Sequence, residues 1–406
     1  MDIWGWLLNI LIVLSAALVL GTISEQLKQS SIIGYLLAGM LVGPSVLGWV
    51  DSGKEVHAIA ELGVTLLLFS LGLEFSLTRL IRLGPITYVG GAAQILVTAF
   101  AGYAVAGMLG LSWQTSIALG LIVSLSSTAC VVRVLKDDFQ LDSLYGRNAI
   151  GILLIQDLAV VFLALVTLSL SGESNSSQAI WGFSRTVGLG LLMFAGFYLV
   201  INYIIPNLFL TKGMSRNREL PILLAVVMSL GSAWAAHQAG LSPSIGAFLA
   251  GILLAESPFA LQIRADISSI RTLLLTLFFA SIGMLVDPAF ILQHALLVGC
   301  LVFLIVFIKP LIIWVIVRFF CVSNGQSLAT GVCLGQVGEF SFVLAQIAAA
   351  GAIIDEHIFE IVVSVTVITL FLTPYMVRTA PILARWTESL WPARVPSLRS
   401  KSQRGP

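Results

Sequence analysis

A long uncharged stretch that contains a single carboxylate constrains this chain more than any other feature. Between Arg147 and Glu173 the sequence reads NAIGILLIQDLAVVFLALVTLSLSG, and Asp157 is its only charged residue. A helix of about 20 such residues spans the hydrocarbon core of a bilayer. A carboxylate near its middle costs several kcal/mol unless it is protonated, paired or bound to a cation. The stretch therefore favours a membrane-spanning helix, and Asp157 is a candidate functional residue.

The composition extends this interpretation to nearly the whole chain. Hydrophobic residues make up 58% of the 406 residues and charged residues only 10%, whereas soluble domains carry about 25% charge. Nothing in the sequence has the pattern of a catalytic triad, a metal-ligand cluster or a nucleic-acid-binding surface. Apolar runs predict an all-α polytopic membrane protein with about 13 spans. Their limits are 3–23, 32–47, 57–74, 85–110, 114–134, 146–171, 179–205, 219–238, 243–257, 267–286, 289–317, 327–351 and 357–385.

The basic residues indicate how these spans are oriented. Eighteen of the 21 lysines and arginines fall in loops after odd-numbered spans or at the C-terminal end. Since loops rich in lysine and arginine stay in the cytoplasm, the N-terminus is predicted outside and the C-terminus inside. The expected location is a prokaryotic inner or plasma membrane.

Small residues recur between the two halves of the chain at a nearly constant offset. Ile33-Gly34 and Ala38-Gly39 recur 212 residues later, and Ser70-x-Gly72 and Ala118-x-Gly120 recur 211 residues later. By the span count the shift is seven spans, so the two repeats of six spans have opposite orientations. Inverted repeats of this kind are typical of secondary transporters, whose sites lie near the midplane between repeats. The predicted organisation is repeat one at 1–171, a linker helix at 179–205, repeat two at 219–385 and a basic cytoplasmic tail at 386–406.

Two spans at matching positions in the repeats contain polar clusters typical of interrupted helices. Span 5 carries Ser124, Ser126, Ser127 and Thr128 in its middle. Its counterpart, span 12, carries the sequence GQVGE at 335–339. Irregular backbone at membrane depth is tolerated where it is buried in protein or lines a cavity, and its free carbonyls and helix ends can bind ions. We predict that both helices are broken and cross.

An acid and a base are predicted at similar depth in the membrane. Asp157 and Lys309 lie ten and nine residues from Arg147 and Arg318, the basic residues at the cytoplasmic ends of their spans. A buried charge needs a partner, so an Asp157–Lys309 ion pair is expected, either permanent or opening when a cation binds. Gln94 falls near the same depth. Its side chain is expected either to add a polar contact to this site or to pack two helices together, and the sequence favours neither role.

The Asp157 carboxylate has the properties of a site at which a proton and a cation compete. Burial favours its protonated form, whereas Lys309 or a bound cation favours its ionised form. Because the preceding residue is the neutral Gln156, one carboxylate titrates, and exchange of one proton per monovalent cation without net charge is expected. No metal is expected apart from the transported cation, and no cofactor.

The chain resembles Kef-type antiporters of the monovalent cation:proton antiporter-2 family across nearly the whole membrane region. The stretches that carry the resemblance are GYLLAGMLVGPSVLG (34–48), ELGVTLLLFSLGLEFS (61–76), SLSSTACVV (124–132), GRNAIGILLIQDLAVV (146–161), GAFLAGILLAESP (246–258), LFFASIGMLVDP (277–288), FIKPLIIW (307–314) and GQVGEFSFVLA (335–345).

The resemblance implies a sodium/proton-antiporter-like fold, a homodimer in the lipid bilayer and an elevator-like motion. It implies that Asp157 binds the cation and the proton, that Ser127 and Thr128 lie beside it, and that Lys309 is the core basic residue. Glu339 falls on the acidic position of the family's GEF segment, with a supporting role. The Gln156-Asp157 pair is similar to that of Kef-type potassium efflux systems, which favours K+ over Na+.

Three other functions remain open: a cation channel, a sodium-coupled symporter of an organic solute, and a sensor without transport. Many Kef-type proteins also continue into a nucleotide-binding domain, and no such motif occurs before Pro406. Regulation by a separate cytoplasmic subunit, or a truncated chain, is therefore expected.

Overall fold

The computed structural model describes most of the predicted membrane region. The described residues are 3–50, 65–66, 68–70, 72–73, 85–170, 219–238, 243–255, 260–320 and 323–390, with five single positions between 188 and 199. Most of the predicted linker helix at 179–205 and much of the predicted span at 57–74 lie outside them, as does the tail beyond residue 390.

All regular structure in the described residues is helical, as the sequence predicts. The helices are α1 (Ile3–Gln26), α2 (Ser31–Val42), α3 (Gly91–Met108, after a π-helical turn at Ile86–Gly90), α4 (Trp113–Ser124), α5 (Thr128–Asp137), α6 (Leu144–Ser169), α7 (Glu219–Gln238), α8 (Pro243–Ala255), α9 (Ala260–Met284), α10 (Pro288–Gln293), α11 (Ala295–Arg318), α12 (Asn324–Cys333), α13 (Phe340–Ala350) and α14 (Glu356–Leu390). Six helical spans in this part of the chain are long and apolar enough to cross a membrane, and several shorter apolar helices accompany them.

Serine side chains define where several of these helices begin. The hydroxyl oxygens of Ser112, Ser143 and Ser323 accept hydrogen bonds from backbone N–H groups in the first turns of α4, α6 and α12. The first N–H groups of a helix have no partner within the helix, so such caps satisfy them and fix the start. The beginnings of these helices lie within a few residues of the predicted limits.

Several predicted boundaries differ from the structure; for example, α9 begins at Ala260 rather than at residue 267, and α2 ends at Val42 rather than at residue 47. The predicted span 289–317 is divided at His294 into α10, which begins with Asp287 as its cap and ends at Gln293, and α11, which begins at Ala295. The last helix continues to Leu390 rather than ending at residue 385, so the start of the predicted tail is helical.

Glycine contacts between helices recur in the two halves at the offset found in the sequence. A Cβ atom on Gly39 would lie 1.8 Å from the carbonyl oxygen of Ala280, and one on Gly251 would lie 2.2 Å from that of Phe69. Gly251 is 212 residues after Gly39, and Ala280 is 211 residues after Phe69. The contact of α2 with α9 thus reappears as the contact of α8 with the segment around Phe69.

Two further pairs of contacts follow the same rule. Gly283 approaches the carbonyl oxygen of Leu36 as Gly72 approaches that of Phe248, and Gly120 approaches that of Ala99 as Gly331 approaches that of Pro310. These contacts place helix backbones against each other at glycine, which is how small residues bring membrane helices together. The predicted internal repeat is therefore present in the packing.

Aromatic side chains join the second repeat's helices around the site. Phe278 and Phe279 on α9 are buried, with ring centroids 5.1 Å apart, and Phe279 meets Phe342 of α13 edge-on at 6.3 Å. They belong to one large apolar cluster that also includes Ile155 and Val160 of α6. This cluster holds the helix of Asp157 against the broken helices.

Candidate cation and proton site

Two broken helices cross where the sequence predicts. The first is α4 and α5, which are separated at residues 125–127, and the second is α12 and α13, which are separated at residues 334–339. The Gly338 N–H donates to the Leu125 carbonyl at 3.1 Å, and the Ser126 hydroxyl donates to the Leu334 carbonyl at 2.9 Å. A Cβ on Gly338 would lie 2.5 Å from the Ser126 carbonyl, so only glycine permits this crossing. Each break thus satisfies backbone groups of the other.

Asp157 lies beside the beginning of α5. Its side chain is buried on α6, with 8% of the residue exposed. The Thr128 hydroxyl lies 3.0 Å from one carboxylate oxygen and 2.9 Å from the other, and donates a hydrogen bond to the carboxylate. Thr128 is the first residue of α5, so the carboxylate faces the positive end of that helix dipole. The arrangement stabilises negative charge at a buried position.

Gln156 holds the first break in place with its side-chain amide. Its Oε1 accepts a hydrogen bond from the Ser126 N–H at 2.7 Å, and its Nε2 donates to Gln94 Oε1 at 2.6 Å. Gln156 and Gln94 are both fully buried. The structure therefore places Gln156 against the unwound backbone next to the carboxylate.

Gln94 makes polar contacts, which is one of the two roles that the sequence left open for it, the other being helix packing. Its Nε2 donates to the Ser124 carbonyl at 2.9 Å and to the Thr98 hydroxyl at 3.2 Å. Ser124 is the last residue of α4, whose carbonyls lack partners within the helix. Gln94 thus ties α3 to the end of α4 as well as to Gln156.

Lys309 binds backbone carbonyls, which corrects the expected direct pairing with Asp157. Lys309 is buried, with 1% of the residue exposed. Its ammonium donates hydrogen bonds to the carbonyl oxygens of Val123 at 2.9 Å, Leu125 at 2.7 Å and Gln336 at 2.7 Å. An ammonium has three hydrogens, so these carbonyls satisfy it without the carboxylate. The carbonyls lie in the two breaks or in the last turn before one, where a positive charge is favourable.

Ser127 and Glu339 lie at the same end of α5 as Thr128. The Ser127 hydroxyl caps α5 by accepting the Cys130 N–H at 3.2 Å. Glu339 is 7% exposed, and its Oε1 accepts the Ala129 N–H at 3.4 Å. The structure thus brings all the predicted site residues to the two breaks or their immediate neighbours.

Some polar atoms in the second break are buried without a protein partner. Within the described residues, Glu339 Oε2 and both polar atoms of the Gln336 side chain have no hydrogen-bond partner. Unpaired buried polar groups are uncommon, and each calls for an explanation, such as an ordered water or a bound ion. Sequence analysis did not assign Gln336 a role, although its position between two glycines inside an apolar span was a signal.

Sequence reasoning also missed the backbone groups of the site. Lys309 is bound by the backbone carbonyls of Val123, Leu125 and Gln336. Glu339 is bound by the backbone N–H of Ala129. Backbone groups are present at every residue, so the only signal for them is the predicted break itself.

Comparison with known proteins places this arrangement in a class of membrane transporters. Residues 12–380 match the family model described as the transmembrane sodium/hydrogen exchanger. The chain is 33% identical over 394 residues to K(+) efflux antiporter 5 of Arabidopsis thaliana, covering 94% of this chain and 68% of that protein. It is 33% identical over 382 residues to the Escherichia coli strain K12 protein YbaL, covering 92% of this chain and 68% of the relative.

A solved structure shares the fold. The sodium proton antiporter MjNhaP1 of Methanocaldococcus jannaschii superposes with a TM-score of 0.67 at 14% identity, covering 95% of this chain and 99% of that one. Two inverted repeats with crossed broken helices therefore define a multi-pass integral membrane protein of the sodium/proton antiporter fold. The chain belongs to the sodium/hydrogen exchanger family, and its family and relatives identify it as a cation/proton antiporter. Its length is about two thirds of that of the two relatives described and about a third of that of the chloroplastic K(+) efflux antiporter 2 of Arabidopsis thaliana.

Proposed function

We propose that Asp157 is the site at which this antiporter exchanges a monovalent cation for a proton by alternating access. The observation that carries the proposal is the buried Asp157 carboxylate at the start of α5, with the Thr128 hydroxyl bonded to it. A carboxylate held in this way accepts either a proton or a cation, and occupancy by one excludes the other. Competition for one site that faces each side in turn produces exchange.

Gln156 supports an exchange that moves no net charge. Its amide is neutral and is bonded to Ser126 and Gln94, so it adds no titrating group beside Asp157. One proton leaves for each cation that enters, and the transporter carries the same charge in both directions. A transport current that scales with voltage would contradict this part of the proposal.

K+ is the proposed cation in preference to Na+. The support is the set of relatives named K(+) efflux antiporters together with the Gln156-Asp157 pair. We also propose that the protein works as a homodimer in a prokaryotic inner or plasma membrane, with its N-terminus outside and its C-terminus in the cytoplasm. Regulation by a separate cytoplasmic subunit is part of the same proposal.

The test is exchange in liposomes that contain a trapped pH dye. A proton gradient is imposed, K+ or Na+ is added separately, and the unaltered protein is compared with Asp157→Asn. We expect a dye response to K+ that Asp157→Asn abolishes. The matched control Asp266→Asn, on α9 outside the crossing, should respond like the unaltered protein.

The other outcomes separate the competing functions. A response retained in folded Asp157→Asn would refute Asp157 as the exchange site. Cation flux that does not depend on the proton gradient would indicate a channel. A response only to Na+ would overturn the proposed K+ preference but leave the exchange intact.

A further inference from the structure

An elongated apolar cavity lies between α3, α4, α11 and α14, and the proposed exchange makes no use of it. Its volume is about 330 Å³. Its walls are almost wholly apolar, with Val105 on α3, Leu301 on α11 and Val365 on α14 among them. Asp157 is not among the described residues that line the cavity, so it is a space separate from the carboxylate site.

The length of the cavity matches the depth of one leaflet of a bilayer. On α11 its lining extends from Leu297 to Ile312, which at about 1.5 Å per residue corresponds to about 22 Å. On α14 it extends from His357 to Thr366, or about 14 Å. Half of a hydrocarbon core that is about 30 Å thick is about 15 Å. The cavity is therefore deep enough to hold most of an acyl chain.

The two ends of the cavity differ in polarity. At one end lies His357, whose ring is 5.0 Å from that of His294, so α11 and α14 begin at the same membrane face. At the other end the lining includes Val123, Lys309 and Val337, which belong to the crossing or contact it. The cavity thus leads from a polar rim at the membrane face to the apolar side chains at the helix breaks.

The side of the cavity opens toward the bilayer. Leu109 and Ile308 line it and are 58% and 40% exposed. Phe100 on α3 and Phe303 on α11 are large exposed apolar side chains on the same two helices. In a protein that spans the membrane, such surfaces contact acyl chains, which are as apolar as leucine. Lipid can therefore enter the cavity from the side.

The chemistry of the walls favours an apolar occupant over water or a polar solute. Three polar side chains at the inner end are already hydrogen-bonded within the protein. Thr98 accepts from the Gln94 side chain at 3.2 Å. The Thr366 hydroxyl donates to the Val362 carbonyl at 2.7 Å. The Lys309 ammonium donates to three backbone carbonyls. Apolar cavities stay dry and bind apolar molecules, and an empty one would forfeit the contacts of its walls.

We propose that this cavity binds one acyl chain of a bilayer phospholipid. The headgroup lies at the membrane face where α11 and α14 begin, near His357, and the methyl end of the chain packs against Val123 and Val337 at the helix breaks. The lipid is then a structural ligand of the protein, and its binding does not depend on cation exchange at Asp157.

Photolabelling of the full-length protein in liposomes tests this proposal. The probe is a phosphatidylglycerol with a photoreactive diazirine near the methyl end of a palmitoyl chain, and labelled residues are mapped by mass spectrometry. We expect labels on Ile122 and Val365, which are 0% and 4% exposed and line the inner part of the cavity. A lipid that only covers the outer surface of the helices does not reach them.

A pair of tryptophan substitutions on α3 separates the cavity from the surface. Val105→Trp fills the cavity and should abolish labelling of Ile122 and Val365. Val97→Trp is the matched control, because Val97 is 45% exposed and is not part of the lining; it should leave the labelling unchanged.

The contrary results are equally defined. Labels confined to exposed positions such as Ile308 in the unaltered protein would overturn the proposal, whether the cavity is closed or covered by a second copy of the chain. Labelling of Val365 that persists in folded Val105→Trp would also overturn it.

A second probe keeps the test decisive if Val105→Trp does not fold. It carries the diazirine near the carbonyl end of the palmitoyl chain and is used with the unaltered protein. We expect its labels at the polar end of the cavity, on residues such as Ile358, rather than on Val365. Identical labelling by the two probes would overturn the bound chain, and displaced labelling would support it.

Discussion

Replacing Lys309 by methionine tests whether this residue fastens the two breaks together. Methionine keeps the apolar stem but removes the ammonium, which leaves the carbonyls of Val123, Leu125 and Gln336 without this donor. We expect Lys309→Met to destabilise the protein. The effect should be nearly independent of Asp157, because the ammonium is satisfied by carbonyls at 2.7–2.9 Å.

The expected loss of stability in Lys309→Met is the difference between two opposing contributions. Hydrogen bonds from a charged donor contribute roughly 1.5–3 kcal/mol each, so three give roughly 5–9 kcal/mol. Burying an ammonium costs several kcal/mol, which methionine avoids. The net loss of stability in Lys309→Met should therefore be about 1–4 kcal/mol.

A double-mutant cycle with Asp157→Asn separates the carbonyl contacts from an ion pair. The stability of the unaltered protein, both single variants and the double variant is measured in the same detergent. If Lys309 acts through carbonyls, the two substitutions should add to within about 1 kcal/mol.

A large coupling energy between Lys309→Met and Asp157→Asn would contradict this expectation. Removing one partner of a buried ion pair costs about 3–5 kcal/mol because the other charge is left uncompensated. A double variant that recovers most of that loss would show that Lys309 and Asp157 depend directly on each other. A Lys309→Met variant as stable as the unaltered protein would also contradict the expectation.

Two further substitutions test the hydroxyl at the carboxylate and the packing of the repeats. Thr128→Val removes the hydroxyl that donates to Asp157 while keeping the side-chain shape, so the rate of K+/H+ exchange in the liposome assay should fall; an unchanged rate would exclude a role for the hydroxyl. Gly39→Ala would place a Cβ atom 1.8 Å from the Ala280 carbonyl oxygen, and we expect a loss of about 3 kcal/mol in a thermal unfolding assay. Gly107→Ala is the matched control, since its Cβ meets nothing within 4 Å, and it should be neutral or slightly stabilising.

The elements that hold the site were largely predictable because polar residues are costly in a membrane. The serine cluster of span 5 and the glycine-flanked Gln336 of span 12 predicted the breaks, and the structure has them at 125–127 and 334–339. Asp157 was predicted to be buried for the same reason, and it is.

The partners within the site were less predictable. Residue counting along a helix gives depth, and on that basis Asp157 and Lys309 were expected to meet directly. Depth does not give the direction in which a helix faces, and Lys309 faces the carbonyls of the breaks instead. The contact between Gln94 and Gln156 depends on direction in the same way.

The glycine contacts between helices also record how the two halves have diverged. In each contact the glycine meets a carbonyl oxygen, which every residue possesses, rather than a side chain. The residue opposite the glycine is Ala280 in one half and Phe69 in the other, and likewise Leu36 and Phe248. The internal repeat therefore left the glycines fixed while the residues opposite them were free to vary, which is why the repeat survives in sequence as a pattern of glycines.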